Sequence, residues 1–177
     1  MPKNSKSQIE EDEQRVLSEL TKDSRKSPHE IAKICGFSRQ KVWRIIKKLE
    51  EENVIWGYTA IVNDEKQNMR GYILLLKRTN LPLSKEMIDK VVGAELEKTV
   101  DKMGIEIKCS SYLNGVYDWM ILFTAQNLGQ AKKFCEVLNK IFIGHVAELD
   151  LLEEIFSNKK FGISNPQREK VREFFNL

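Results

Sequence analysis

Three cysteines in 177 residues, Cys35, Cys109 and Cys135, are too few and too widely spaced for a disulfide framework or a Cys-x-x-Cys metal pair. They are expected as small apolar side chains in packed interiors. Histidine is rarer still, with His29 and His145 far apart in the chain. No glycine-rich phosphate loop and no evident acid/base pair of carboxylates accompanies them, so no catalytic residue, no metal site and no cofactor is expected. Apolar runs are short: none approaches the roughly 20 residues of a membrane span, and the polar start holds no stretch that would serve as a signal peptide. A soluble, cytoplasmic protein is expected. One-signed charge is lacking too, because 29 Lys and Arg against 26 Asp and Glu leave a net charge of only +3. That balance permits a polyanionic partner without requiring one.

What is present is one stretch with a distinct purpose, Ser38-Arg39-Gln40-Lys41-Val42-Trp43-Arg44-Ile45-Ile46-Lys47-Lys48-Leu49. Val42, Ile45, Ile46 and Leu49 stand at i, i+3, i+4 and i+7, the spacing of one buried helical face. At about 100° per residue, Gln40, Arg44 and Lys47 lie at the middle of the opposite face. Lys41 and Lys48 take one shoulder and Trp43 the other, with Arg39 in the first turn. Ser38 is placed to cap the helix and leave its amide end to a phosphate. Arg and Gln match the paired hydrogen-bonding edges of guanine and adenine in the major groove, while Lys mainly supplies phosphate contact. The stretch reads as a DNA recognition helix, against the plainer alternative of a solvated basic face.

Its surroundings favour the first reading. Residues 1–7 form a polar leader expected to be disordered. Ile9, Val16, Leu17 and Leu20 make the stripe of a first helix whose opening turn is acid-rich. Ser27-Pro28-His29-Glu30 states a second helix start, with a capping Ser, a first-turn Pro and Glu at the box position. Gly36 stops that helix, Phe37 plugs the corner and Ser38 opens the next, leaving room only for a tight helix-turn-helix. Asn53 suits a left-handed helix end, and residues 54–62 are rich in β-formers and predict a strand.

These residues resemble the Lrp/AsnC family of archaeal and bacterial transcription regulators. The likeness begins with Ile9-Glu10-x-x-Glu13-x-x-Val16-Leu17, where that family usually has Leu-Asp-x-x-Asp-x-x-Ile-Leu. It runs through Arg25-x-Ser27-x-x-Glu30-Ile31-Ala32, Gly36-Phe37-Ser38, Val42-x-Arg44 and Leu49-Glu50 to Val54-Ile55-x-Gly57-Tyr58-Thr59-Ala60. Ile45 departs from it, standing where many members carry a second Arg, and Lys41 replaces a commonly small residue. The resemblance implies a winged helix-turn-helix regulator that binds double-stranded DNA, with Ser38, Arg39, Gln40, Lys41, Trp43, Arg44, Lys47 and Lys48 as contact candidates.

Beyond a polar linker at 63–68 the pattern changes. Residues 72–76 form an apolar run, 84–103 a helix ended by Gly104, and 105–113 an alternating strand. Asn114-Gly115 suits a two-residue hairpin turn; 116–123 return as a strand, 128–141 form a helix and 146–156 a last strand. The order βαββαβ is a ferredoxin-like unit, giving an α+β protein with a DNA-binding domain over 8–62, a second domain over 69–161 and a helical tail over 162–177. The family likeness makes the second domain one for effector binding and assembly. The runs 72–76 and 117–123 are apolar on both faces, yet two helices cover one side of a sheet. The other side calls for a second copy through a two-fold interface, or for the tail with Phe161, Phe174 and Phe175. A homodimer is expected; the resemblance extends this to octamers.

Gly115-x-Tyr117-Asp118 is similar to the family's turn motif at its ligand site, which implies Gly115, Tyr117 and Asp118 as effector-binding residues. For an amino acid, Asp118 would pair with the ammonium group and amides beside Gly115 would hold the carboxylate. Alternatively, Asp118, placed opposite Ser111 by register, serves a local hydrogen bond and Gly115 serves a positive φ. Two other functions compete with a sequence-specific regulator: an architectural DNA-binding protein, and a siroheme decarboxylase-like enzyme with His145 as its handle.

Overall fold

The computed structural model describes residues 6–175, in two compact units. The first unit covers the chain up to Ile61 together with the segment from Asn158; the second is Val62–Ser157.

Three helices build the first unit: α1 (Lys6–Lys22), α2 (Pro28–Cys35) and α3 (Arg39–Glu51). Helix α1 starts at Lys6, so Lys6 and Ser7 are helical and not part of a disordered leader; residues 1–5 of that expected leader lie outside the described residues. The early start also moves the acidic run out of the first turn. The second helix opens on a reciprocal box, in which Ser27 Oγ accepts from Glu30 N and the Glu30 carboxylate accepts from Ser27 N at 2.7 Å. It closes on Gly36 at φ 68°, a left-handed conformation that costs glycine nothing. Val16, Leu20, Ile31, Ala32, Cys35, Val42, Ile45 and Leu49 pack together, with Phe37, Ile46 and Ile55 against them. Burying Val42, Ile45 and Leu49 contributes about 1.5–3 kcal/mol each, so packing rather than charge fixes the orientation of α3.

The strand expected over 54–62 does not form among the described residues. Val54 N and Ile55 N both donate to Leu49 O, at 2.9 and 3.1 Å, and the chain then runs on with Trp56 95 % exposed. β-forming side chains supply half of a strand; the ladder partner is missing among the described residues. Beyond Ser157, β5 (Lys159–Lys160) pairs with β6 (Ile163–Ser164) in a small hairpin where a helical tail is expected from residue 162. A 3-10 turn at Arg168–Lys170 then leads into the short α7 (Val171–Phe174).

The second unit opens with a 3-10 turn, Asp64–Gln67, capped by Asn63. Its four strands, β1 (Arg70–Arg78), β2 (Glu106–Tyr112), β3 (Trp119–Ala125) and β4 (Val146–Glu153), form one antiparallel sheet in the order β2-β3-β1-β4. With α6 (Leu128–Ile141) this is the βαββαβ arrangement. The helix expected over 84–103 is instead two, α4 (Lys85–Val92) and α5 (Glu95–Asp101). Gly93 closes the first and Ala94, at φ 53°, turns the chain through the left-handed region.

Tyr72, Leu74 and Leu76 lie beside Phe123, Ile121 and Trp119 on the face that the helices cover, all buried with Phe134, Leu138, Leu96 and Val100. Ile73 and Leu75 pair with Leu122 and Met120 on the other face, and the register adds Leu152 and Cys109 to it. This second apolar face is half-buried or exposed, with Leu152 48 % exposed.

Candidate nucleic-acid interface

Ser38 caps α3 as its sequence suggests: Ser38 Oγ accepts from Lys41 N at 3.2 Å, with extended backbone at Ser38. Opposite the buried seam, Arg39, Gln40, Trp43, Arg44 and Lys47 are exposed. Arg39, Gln40 and Arg44 form no ion pair or side-chain hydrogen bond among the described residues. Lys47 Nζ stands 5.5 Å from the centre of the Trp43 ring and 3.5 Å from Glu51, which steadies it along the helix. This surface joins an arginine pair, an amide and a large flat ring, suited to base edges and sugar-phosphate alike.

The other two lysines are not so placed. Lys41 Nζ pairs with Asp12 Oδ2 at 2.5 Å and lies 4.0 Å from the centre of the Phe37 ring. Asp12 is buried at 4 % exposure. On the ring's account, Arg15 also comes within 4.8 Å of Phe37, and it donates to Cys35 O at 2.7 Å. The helix-turn-helix corner is thereby clamped to α1 by two cations and one aromatic ring. Lys48 Nζ pairs with Glu13 Oε1 at 2.6 Å and more loosely with Glu52 at 3.8 Å; the Glu13 hydrogen bond holds the Lys48 ammonium above its ordinary pKa. Asp12 and Glu13 were absent from the sequence-derived contact set, because they stand 29 and 35 residues from their lysines.

In the second unit the loop between β2 and β3 is wider than a two-residue turn. Leu113 N donates to Asp118 O at 2.8 Å, so Asp118 faces Leu113 and not Ser111. The four residues 114–117 between the paired Leu113 and Asp118, in place of a two-residue turn, account for the displacement, and the register runs on through Tyr112 opposite Trp119 and Ser111 opposite Met120. Gly115 has no positive φ, so that explanation for the glycine falls. Asp118 Oδ2 accepts from Arg78 N at 2.7 Å, and Tyr117 Oη donates to Asp150 Oδ2 at 2.7 Å. That bond raises the Tyr117 pKa. Asp118 and Tyr117 are thus tied to other strands of the sheet, Asp118 to β1 and Tyr117 to a residue of β4 on the exposed apolar face.

Among the described residues, no cluster of His, Cys, Asp and Glu is arranged for a metal ion, and no helix is long and apolar enough to cross a membrane. The three cysteines are free thiols; Cys35 is buried in the first core, and Cys109 and Cys135 are half-buried.

Residues 13–55 match the family described as winged helix-turn-helix DNA-binding. An uncharacterized HTH-type transcriptional regulator of Pyrococcus abyssi is 30 % identical over 126 residues, spanning 71 % of this chain and 79 % of that protein. The HTH-type transcriptional regulator LrpA of the same organism is 41 % identical over 67 residues, 38 % of this chain and 45 % of that one. The chain belongs to the Lrp/AsnC family. It is a DNA-binding transcriptional regulator. A solved transcriptional regulator of Neisseria meningitidis, in complex with L-Met, superposes at TM-score 0.64 with 16 % identity, covering 94 % of this chain and 99 % of that one. At that identity the likeness speaks for the two-domain Lrp/AsnC fold. Both of these Pyrococcus abyssi relatives of this Lrp/AsnC protein are named as HTH-type transcriptional regulators.

Proposed function

We propose that this regulator selects DNA sequences as a cytoplasmic homodimer, acting by binding alone without turnover of a substrate. In this reading α3 enters the major groove, with Arg44 and Gln40 at base edges and Arg39, Lys47 and the capped helix start on phosphates. The exposed cationic face of α3 opposite its buried seam, on which Arg39 and Arg44 have no carboxylate partner among the described residues, carries the reading. Dimerisation is supported by the apolar sheet face bearing Ile73, Leu75, Met120 and Leu122, which a second copy would cover. Two such helices would meet one side of the duplex about one helical turn apart, or a multiple of it.

An amino-acid effector near Gly115, Tyr117 and Asp118 completes the proposal. The L-Met complex of the Neisseria meningitidis protein supports it by analogy of fold. The Asp118 carboxylate has acceptor capacity beyond the Arg78 N–H, and an ammonium group is a fitting second donor. An effector alters DNA binding only by favouring one assembly over another. Selection from a random duplex pool, followed by amino-acid titration of the selected complex, tests the whole. A single two-fold motif whose affinity shifts with one amino acid is expected. Near-equal affinity for unrelated duplexes would instead indicate an architectural protein.

A further inference from the structure

The recognition helix carries five cations between Arg39 and Lys48, but two of them are already matched by carboxylates from α1. The two pairs differ. Asp12 is nearly enclosed, its side chain 5 % exposed, and Lys41 lies between it and the Phe37 ring. The pair belongs to the corner's packing. Glu13 is 15 % exposed and Lys48 is 44 % exposed, so this pair sits at the surface with the ammonium group still open to solvent.

A lysine contributes to DNA binding by taking a phosphate and releasing a condensed counterion, which appears as salt dependence. A lysine held by an internal carboxylate must give up that partner first. We propose that Glu13 is an affinity-setting residue of this regulator: it occupies Lys48 in place of a DNA phosphate and keeps it out of the contact set. Asp12 does the same for Lys41 permanently, while Glu13 does so reversibly at the rim. The looser Glu52, 3.8 Å from Lys48 and more exposed, is the lesser partner. Withholding Lys48 from phosphates lowers affinity for all duplexes about equally, so it sets how tightly the protein holds non-specific DNA while the preference between sequences stays with base contacts from Arg44 and Gln40. The inference rests on α3 being the DNA-contacting helix.

The test is the salt dependence of duplex binding by the full-length protein. Glu13→Gln frees Lys48 and steepens the slope of log K against log salt by about 0.9, an extra loss of about 3.5-fold between 50 and 200 mM salt. It also tightens binding to a scrambled duplex at low salt. Glu13→Asp keeps the charge and keeps the slope near wild type. Lys48→Gln gives an independent arm, because a lysine that makes no phosphate contact leaves the slope unchanged when removed. A slope that falls by about one with Lys48→Gln would overturn the proposal. So would a Glu13→Gln protein with unaltered slope, or with a gain of equal size in a Lys48→Gln background. Arg44→Ala run alongside separates the two levels: loss of binding there with no response at Glu13 removes only this inference, whereas no effect at Arg44 removes the assignment of α3.

Discussion

Asp118 accepts the Arg78 backbone N–H at 2.7 Å, and its own N–H donates to Leu76 O at 2.9 Å. The residue thus closes the end of β1 where the β1–β4 register shifts between Lys77 and Arg78. Asp118→Ala is expected to cost about 1–2 kcal/mol of stability from the lost charge-assisted bond. Asp118→Asn, which keeps an acceptor, should cost less. Urea titrations of both variants check the order, and calorimetry with a panel of amino acids on the same proteins shows whether Asp118 also serves an effector.

The two faces of the sheet make opposite expectations for neighbouring residues. Leu74 is fully buried and Trp119 6 % exposed under the helices, so Leu74→Asp or Trp119→Asp should unfold the second domain. Leu75→Asp and Leu122→Asp, on the uncovered face, should leave the fold intact and break the dimer. Light scattering with far-UV circular dichroism distinguishes the outcomes. A wild-type monomer at micromolar concentration would refute the dimer.

Acid should loosen the first domain through its hydrogen-bonded carboxylates, Glu19, Asp23 and Glu30. Hydrogen bonds from Ser27 hold Glu30 below its ordinary pKa, and those from Lys22 and Lys26 do the same for Glu19. A carboxylate with a depressed folded-state pKa stabilises fully above the unfolded value of about 4.3 and loses that contribution as pH falls through the folded one. Thermal melts from pH 6 down to 3 should therefore show falling stability below about pH 4.3. Glu30→Gln should flatten the acid limb while keeping the capping hydrogen bond; an unchanged limb would exclude Glu30 from it.

Local signals carried the helix-turn-helix almost completely: Ser27 and Glu30 as a box, Gly36 at φ 68° and Ser38 as a cap each depend on near neighbours. The features that escaped depend on distant ones. Ala94 adopts φ 53° with no glycine to announce it, so one helix became two. Residues 54–62 have strand composition but no ladder partner among the described residues. The loop of four residues, 114–117, where Asn114-Gly115 suits a turn of two, sets Asp118 opposite Leu113. Helical spacing put Lys41 and Lys48 on the shoulder of α3, yet only the arrival of α1 brings Asp12 and Glu13 to them.

Arg44 provides the most direct test of DNA reading by α3. Binding of wild-type and Arg44→Ala protein is measured on a selected duplex and on a scrambled one across a salt series. The expected result is a loss on the order of 1–3 kcal/mol on the selected duplex and a much smaller loss on the scrambled one, at matched salt. Equal affinities of the two proteins for both duplexes, with the fold intact, would contradict it.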